Sequence, residues 1–136
     1  MKKQDILQAF DNLGFSLEEI HKNRYRFKYN DVSYLYTYYD DDEYFMHISI
    51  PGIFEVSEEN VDMVLPVINR ANRIVKYAKL TYEMELVWVA IEYPIFDGID
   101  MEDFIEFAVN LLQEAAEIFN EIISGEYDDN ERKEEE

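Results

Sequence analysis

Between residues 5 and 13 the apolar side chains Ile6, Ala9, Phe10 and Leu13 recur at spacings of three and four, which is one face of a short helix, and Gly14 follows as a C-terminal stop. From Arg24 the period changes to two. Tyr25, Phe27 and Tyr29 alternate with Arg24, Arg26 and Lys28, so a strand with one buried and one wet face is predicted. Asn30-Asp31 reads as a tight turn, Val32 to Tyr39 as a second strand, Asp40 to Glu43 as a charged turn, and Tyr44 to Ile50 as a third strand that Pro51-Gly52 interrupts. Such short connections predict three consecutive antiparallel strands.

Ser57 to Asn60 opens a second helix, with Glu58 and Glu59 near the positive end of its dipole. Its apolar stripe is Val61, Val64, Leu65, Ile68, Ala71 and Val75, and Pro66 within it predicts a kink or a later start. Residues 79 to 93 return to strand character. A single strand of that length would extend ~50 Å at about 3.3 Å per residue, so a hairpin turning near Glu83 to Glu85 is expected, although that turn lacks Gly or Asn. Asp100 caps a third helix after the Asp97-Gly98 turn, with Glu102 and Asp103 in its first turn. Its stripe of Phe104, Ala108, Leu111, Ala115, Ile118 and Ile122 is widened by Ile105, Leu112, Phe119 and Ile123, so this helix must pack on the sheet and against something more. The expected fold is α+β: an antiparallel sheet of about five strands in the order α-β-β-β-α-β-β-α. Residues 1–125 form one domain on this reading, and residues 126–136, with seven acids against Arg132 and Lys133, form a disordered acidic tail.

Composition narrows the function classes. Twelve Lys and Arg stand against 31 Asp and Glu, a formal charge of −19, which opposes unassisted binding to nucleic-acid phosphates. Cysteine is absent, which removes disulfides, thiol nucleophiles and thiolate metal sites. The apolar runs are broken well short of the ~20 residues a spanning helix needs, and the N-terminus lacks the apolar run of a signal peptide. A soluble cytoplasmic protein with no membrane partner is expected.

Catalytic chemistry finds little support. His21 and His47 are separated by strands, and none of Ser16, Ser33, Ser49, Ser57 or Ser124 lies in a nucleophile-elbow or Ser-x-x-Lys context. The glycines, Gly14, Gly52, Gly98 and Gly125, are too far apart for a phosphate loop. Asp40-Asp41-Asp42-Glu43 offers hard oxygen ligands but lacks the alternating spacing and central glycine of a calcium loop, so a solvated turn is the favoured reading. The expectation is a protein that is not an enzyme and has no cofactor or metal.

Seven of the eleven tyrosines lie between residues 25 and 44. Alternation sends Tyr34, Tyr36 and Tyr38 to one face and Tyr39 to the other. Each could be an ordinary sheet residue, yet together they exceed what one core face needs, and tyrosine is enriched in interfaces. Charge is segregated as well: fourteen acids and no base lie between Leu80 and Asn130, while Lys22, Arg24, Arg26 and Lys28 cluster on the first strand and Arg70, Arg73, Lys76 and Lys79 follow helix two.

The run Ile68-Asn69-Arg70-Ala71-Asn72-Arg73 followed by Ala78-Lys79-Leu80, together with Tyr93-Pro94-Ile95-Phe96 and Gly98-Ile99-Asp100 before the long final helix, resembles the YbjN-like family of bacterial sensory transduction regulators. That family is similar in fold to the type III secretion chaperones. The resemblance implies a cytoplasmic, non-enzymatic protein, often dimeric, that holds other proteins, and it supplies no catalytic residues. The expected function is a protein-binding module, chaperone-like or a regulatory adaptor, which holds an extended or helical partner segment on its sheet and final helix and forms a homodimer. Its expected contact residues are Tyr34, Tyr36, Tyr38, Ile105, Leu112 and Phe119. The alternative is a small-molecule sensor with a pocket between sheet and helices.

Overall fold

The computed structural model describes residues 2–41 and 43–127. Helix α1 (Lys3–Asn12) buries Ile6, Ala9 and Phe10, the stripe at three-and-four spacing, and the Lys2 N–H donates to the Asp5 carboxylate at its start. Strands β1 (Glu18–His21), β2 (Arg24–Tyr29), β3 (Val32–Thr37) and β4 (Phe45–Glu55) follow as a meander. Helix α2 (Val61–Ile74) then crosses to β5 (Ala78–Glu83), β6 (Leu86–Pro94) returns beside it, and α3 (Met101–Ser124) ends the described chain. All pairs are antiparallel in one sheet of order β1-β2-β3-β4-β6-β5.

The sheet therefore has six strands, one more than the expected five. The extra strand, β1, escapes sequence reading because all four of its residues are exposed, so it has no buried face and no alternation. Turn chemistry follows the sequence at the β2–β3 hairpin and departs from it at β5–β6. Asn30 and Asp31 both take positive φ in the two-residue β2–β3 turn, the conformation that Asn and Asp tolerate best. The β5–β6 hairpin turns at Met84 and Glu85, within the expected segment, and these residues adopt φ of 54° and 63° without the Gly or Asn that would do so cheaply.

Pro66 neither delays nor ends α2, which runs unbroken from Val61. Its ring lies on the exposed side, while Val64, Ile68 and Ala71 face the core. Water can therefore solvate the carbonyl that loses its helical partner. Ser57 to Glu59 form a turn ahead of this helix, pinned by Asn60, whose side chain accepts from the Ser57 N–H and donates to the Glu55 carbonyl. At α3 the Asp103 N–H donates to the Asp100 carboxylate, and Gly125 in the left-handed region closes the C-terminus.

All three helices lie on one side of the sheet. Ile6 and Phe10 of α1, Val64 and Ile68 of α2, and Phe104, Ile105, Val109, Leu112 and Phe119 of α3 join Phe27, Tyr34, Tyr36, Ile48, Val89 and Ile91 in one core. The extra packing demanded by the wide apolar stripe of α3 is met inside the chain, since this helix packs on β4, β5 and β6 and also against α1 and α2. The acidic tail expected over 126–136 lies outside the described residues from Asp128 onward. Glu126 and Tyr127, the first two residues of that expected tail, are described, and the Tyr127 ring lies 5.2 Å from the Arg70 guanidinium.

The motif around Asn72 has a structural reason. Its side-chain amide donates to the Leu80 carbonyl at 2.9 Å and accepts from the Leu80 N–H at 2.7 Å, so one asparagine satisfies the outward backbone groups in the middle of edge strand β5.

Candidate functional site

Five of the six side chains expected to contact a partner are core residues. Tyr34, Tyr36, Ile105, Leu112 and Phe119 are at most 1% exposed, which corrects their placement on a binding surface. The reason is that the helices cover the tyrosine face of the sheet. Rings of Phe27 and Tyr34 stack at 5.1 Å, as do those of Tyr25 and Tyr36 at 5.8 Å, and the Tyr34 hydroxyl donates to the Val109 carbonyl of α3 at 2.7 Å. Burial pushes both the Tyr34 and Tyr36 phenols well above their ordinary pKa of 10.0. Tyr38 alone of the six is half-buried and lines a surface depression; the Lys3 ammonium sits 5.5 Å from its ring. The middle of the space between sheet and helices, where the alternative reading places a ligand pocket, is filled by this core, and a depression of about 620 Å³ remains at its margin, between Val32, Ser33, Ile50 and Ile53 of the sheet and Gln113, Ala116 and Asn120 of α3.

What remains open is the other side of the sheet. Cross-strand register aligns Arg26, Leu35, Ser49, Ala90 and Lys79 in one row, and Arg24, Thr37, His47 and Glu92 in the next. Trp88 stands opposite Thr81 on the same side, as alternation with buried Val87 and Val89 requires. Leu35, His47, Trp88 and Ala90 are half-buried although no described helix covers them. Two ion pairs frame this face, Arg26 with Glu18 at 2.8 Å and Lys79 with Glu92 at 3.0 Å, while Arg24 and Lys28 extend beside them. Tyr39 packs edge-on to the His47 ring at 5.9 Å. Burial of that imidazole disfavours its charged form and lowers its pKa, and its Nδ1 has no hydrogen-bond partner among the described residues.

At one end of the sheet an aromatic rim runs from this face round to the helix side, where Tyr38 and the start of α1 lie. Phe45 and Tyr39 lie at the margin of the face, and Tyr44 and Phe96, 69% and 53% exposed, project beyond it. Tyr38, Tyr44, Ile95 and Phe96 line a depression of about 590 Å³ that also holds Lys2, Lys3, Glu43 and Asp97. Exposed aromatic side chains this close together signal contact rather than core.

The sheet edges are poor docking sites by comparison. Strand β1 is four residues long, carries Glu18, Glu19 and His21, and its pairing is broken by a bulge between Glu19 and His21. Asn72 occupies the middle of the β5 edge. Both devices discourage addition of a foreign strand. Among the described residues no group of three His, Asp or Glu side chains is gathered to hold a metal ion.

These features define a class: an α+β protein with one antiparallel sheet, helices on one side and a framed open face on the other. No family model matches the chain, and no curated protein matches it. Among solved structures it is similar to YbjN from E. coli, with 17% identity, a TM-score of 0.70, and coverage of 92% of this chain and 93% of that one. It is also similar to an uncharacterized protein from Methanothermobacter thermautotrophicus, with 16% identity, a TM-score of 0.61, and coverage of 94% and 100%. The chain thus has a YbjN-like fold, as the run around Asn72 implied. Among the described residues no helix is long and apolar enough to cross a membrane.

Proposed function

We propose that the protein is a binding module that holds a segment of another protein on its open sheet face, with the aromatic rim as the anchoring end. The observation that carries this reading is the one-sided arrangement: six strands, three helices on one side, and half-buried Leu35, Ala90 and Trp88 on the other. A partner laid on that face would remove apolar surface from water at about 25 cal/mol per Å², while Arg24, Arg26 and Lys28 at its border would set orientation. The YbjN structure, described only provisionally as that of a transcription regulator, fits a regulatory role for such a module. The contact set moves accordingly from the buried tyrosines to Leu35, Ala90, Trp88, Tyr44 and Phe96, with Tyr38 kept at the rim.

The test is a pair of charge substitutions, Leu35→Asp and Ala90→Asp, compared with the parent chain by co-purification from its native host. Neither position lies under a helix, so both variants should retain their circular dichroism, with stability lowered by only about 1 kcal/mol for a half-buried position, while the co-purifying protein is lost. Retention of that protein by both variants would overturn the reading.

A further inference from the structure

The side of the molecule opposite the open sheet face carries a second surface with a different chemistry. Along the outward stripe of α3, Asp103, Glu106, Phe107, Asn110, Leu111 and Glu114 line a shallow depression of about 470 Å³. Among the described residues three carboxylates and one amide line it, and no lysine or arginine. Phe107 is 48% exposed, and beside it Tyr77 is 65% exposed, the two rings meeting edge-on at 6.1 Å. Tyr77 in turn contacts Tyr93 at 5.9 Å, which packs on Phe104 at 4.8 Å, so the exposed rings rest on a fixed aromatic base.

Tyr77 is also held at φ of 64°, a conformation that a bulky side chain rarely adopts. Glycine would make the same turn between α2 and β5 without strain. The turn therefore keeps an exposed ring where the backbone alone would favour none.

We propose that this stripe docks a cationic amphipathic segment of another protein, with its lysines or arginines on Asp103 and Glu106 and its apolar side chains on Phe107, Leu111 and Tyr77. Charge complementarity selects the occupant. The carboxylates attract cations, the ring faces of Phe107 and Tyr77 accept them in cation–π contact, and the overall charge of −19 steers a basic segment toward the surface. A second copy of this chain is the competing occupant: Arg24, Arg26 and Lys28 lie on the far side of the sheet from α3, but Arg73 and Lys76 are exposed at the end of α2 on the helix side, and a dimer through them is an outcome the test distinguishes.

The test uses the full chain and a fluorescent synthetic peptide of lysine and leucine at amphipathic helical spacing. Its affinity would be read by anisotropy, and its footprint by amide chemical shifts. Shifts should centre on Glu106, Phe107, Leu111 and Tyr77. Phe107→Ala and Tyr77→Gly should each weaken binding about tenfold, the range expected for loss of one anchoring ring, and Tyr77→Gly also relieves the strained φ so that folding is not compromised. The control Glu58→Gln/Glu59→Gln removes two charges from another exposed segment and should change affinity less than about twofold, as distant surface charges do. A peptide with serine in place of leucine should bind about tenfold more weakly, since the apolar contacts are lost. Shifts spread over the whole acidic surface or centred on the open sheet face would overturn the proposal. So would equal losses in the control and ring variants, or a concentration-dependent dimer that buries Phe107.

Discussion

Replacing Asn72 by alanine removes both hydrogen bonds that the side chain makes to Leu80 and leaves that residue's N–H and carbonyl without protein partners at the edge of the sheet. Each bond contributes a net ~1 kcal/mol, so the pair is worth roughly 2 kcal/mol. If water were kept from the vacated site the cost would rise toward about 4 kcal/mol, but Asn72 is exposed, and solvent reaches the gap. Urea unfolding followed by circular dichroism measures the loss: with a slope near 2 kcal/mol per molar, the midpoint should fall by about 1 M while the slope stays constant. Asn72→Asp at neutral pH keeps the acceptor for the Leu80 N–H but loses the donor and sets a carboxylate against a carbonyl, so it should be at least as damaging. Its penalty should shrink in acid, where the protonated carboxyl can donate again. A freed β5 edge should also make the alanine variant more prone to self-association at high concentration. A midpoint shift under about 0.2 M for Asn72→Ala, which corresponds to less than 0.5 kcal/mol, would refute the reasoning.

The β5–β6 turn gives an opposite test: Met84→Asn/Glu85→Gly should raise stability by roughly 1–2 kcal/mol because both positions have positive φ, and an unchanged urea midpoint would count against the strain argument. The Tyr34 and Tyr36 phenols, raised above 10.0 by burial, stay protonated in the folded chain where the unfolded chain ionises, so their contribution is full below pH 10 and is lost as pH climbs above it. Tyr34→Phe should lower the midpoint at neutral pH by the worth of its hydrogen bond to Val109, ~1 kcal/mol, and should flatten the alkaline fall. His47 has the reverse sign for a base: its lowered pKa means that stability is complete above the ordinary value of 6.5 and declines as pH falls below it. A titration of His47 by imidazole proton resonances should find a midpoint under 6.5, and His47→Gln should reduce the acid-side decline.

Much of this architecture is legible in the sequence because it rests on period and punctuation. The change from three-and-four spacing at Ile6 to Leu13 to alternation at Tyr25 to Tyr29 marks α1 and β2, Asn30-Asp31 marks their hairpin turn to β3, and Asp100 and Gly125 mark the ends of α3. Strand β1 leaves no mark because an edge strand with both faces wet has no hydrophobic period. The candidate site is the harder part. Alternation separates Tyr34, Tyr36 and Tyr38 from Leu35 and Thr37 correctly, but it does not say which set meets the helices. That choice depends on where α1, α2 and α3 pack, which is a property of the tertiary fold. Had the helices covered the other side, the tyrosines would form the open face. The cue that was available lies in β2, where Arg24, Arg26 and Lys28 alternate with Tyr25 and Phe27: charged residues seldom face a core, and β2 pairs with β3 so that Tyr34 and Tyr36 stand opposite Phe27 and Tyr25. The breadth of the α3 stripe points to heavy burial, and α1 and α2 provide it without a partner.

The central claim is that the open sheet face is covered by another protein. A photo-crosslinking amino acid placed at position 35, activated in the native host, tests it most directly, with the same label at position 58 on an exposed turn as reference. The account predicts a discrete adduct between position 35 and a different polypeptide, absent from position 58 and abolished by Ala90→Asp. No adduct at position 35, or the same adducts from both positions, would contradict it.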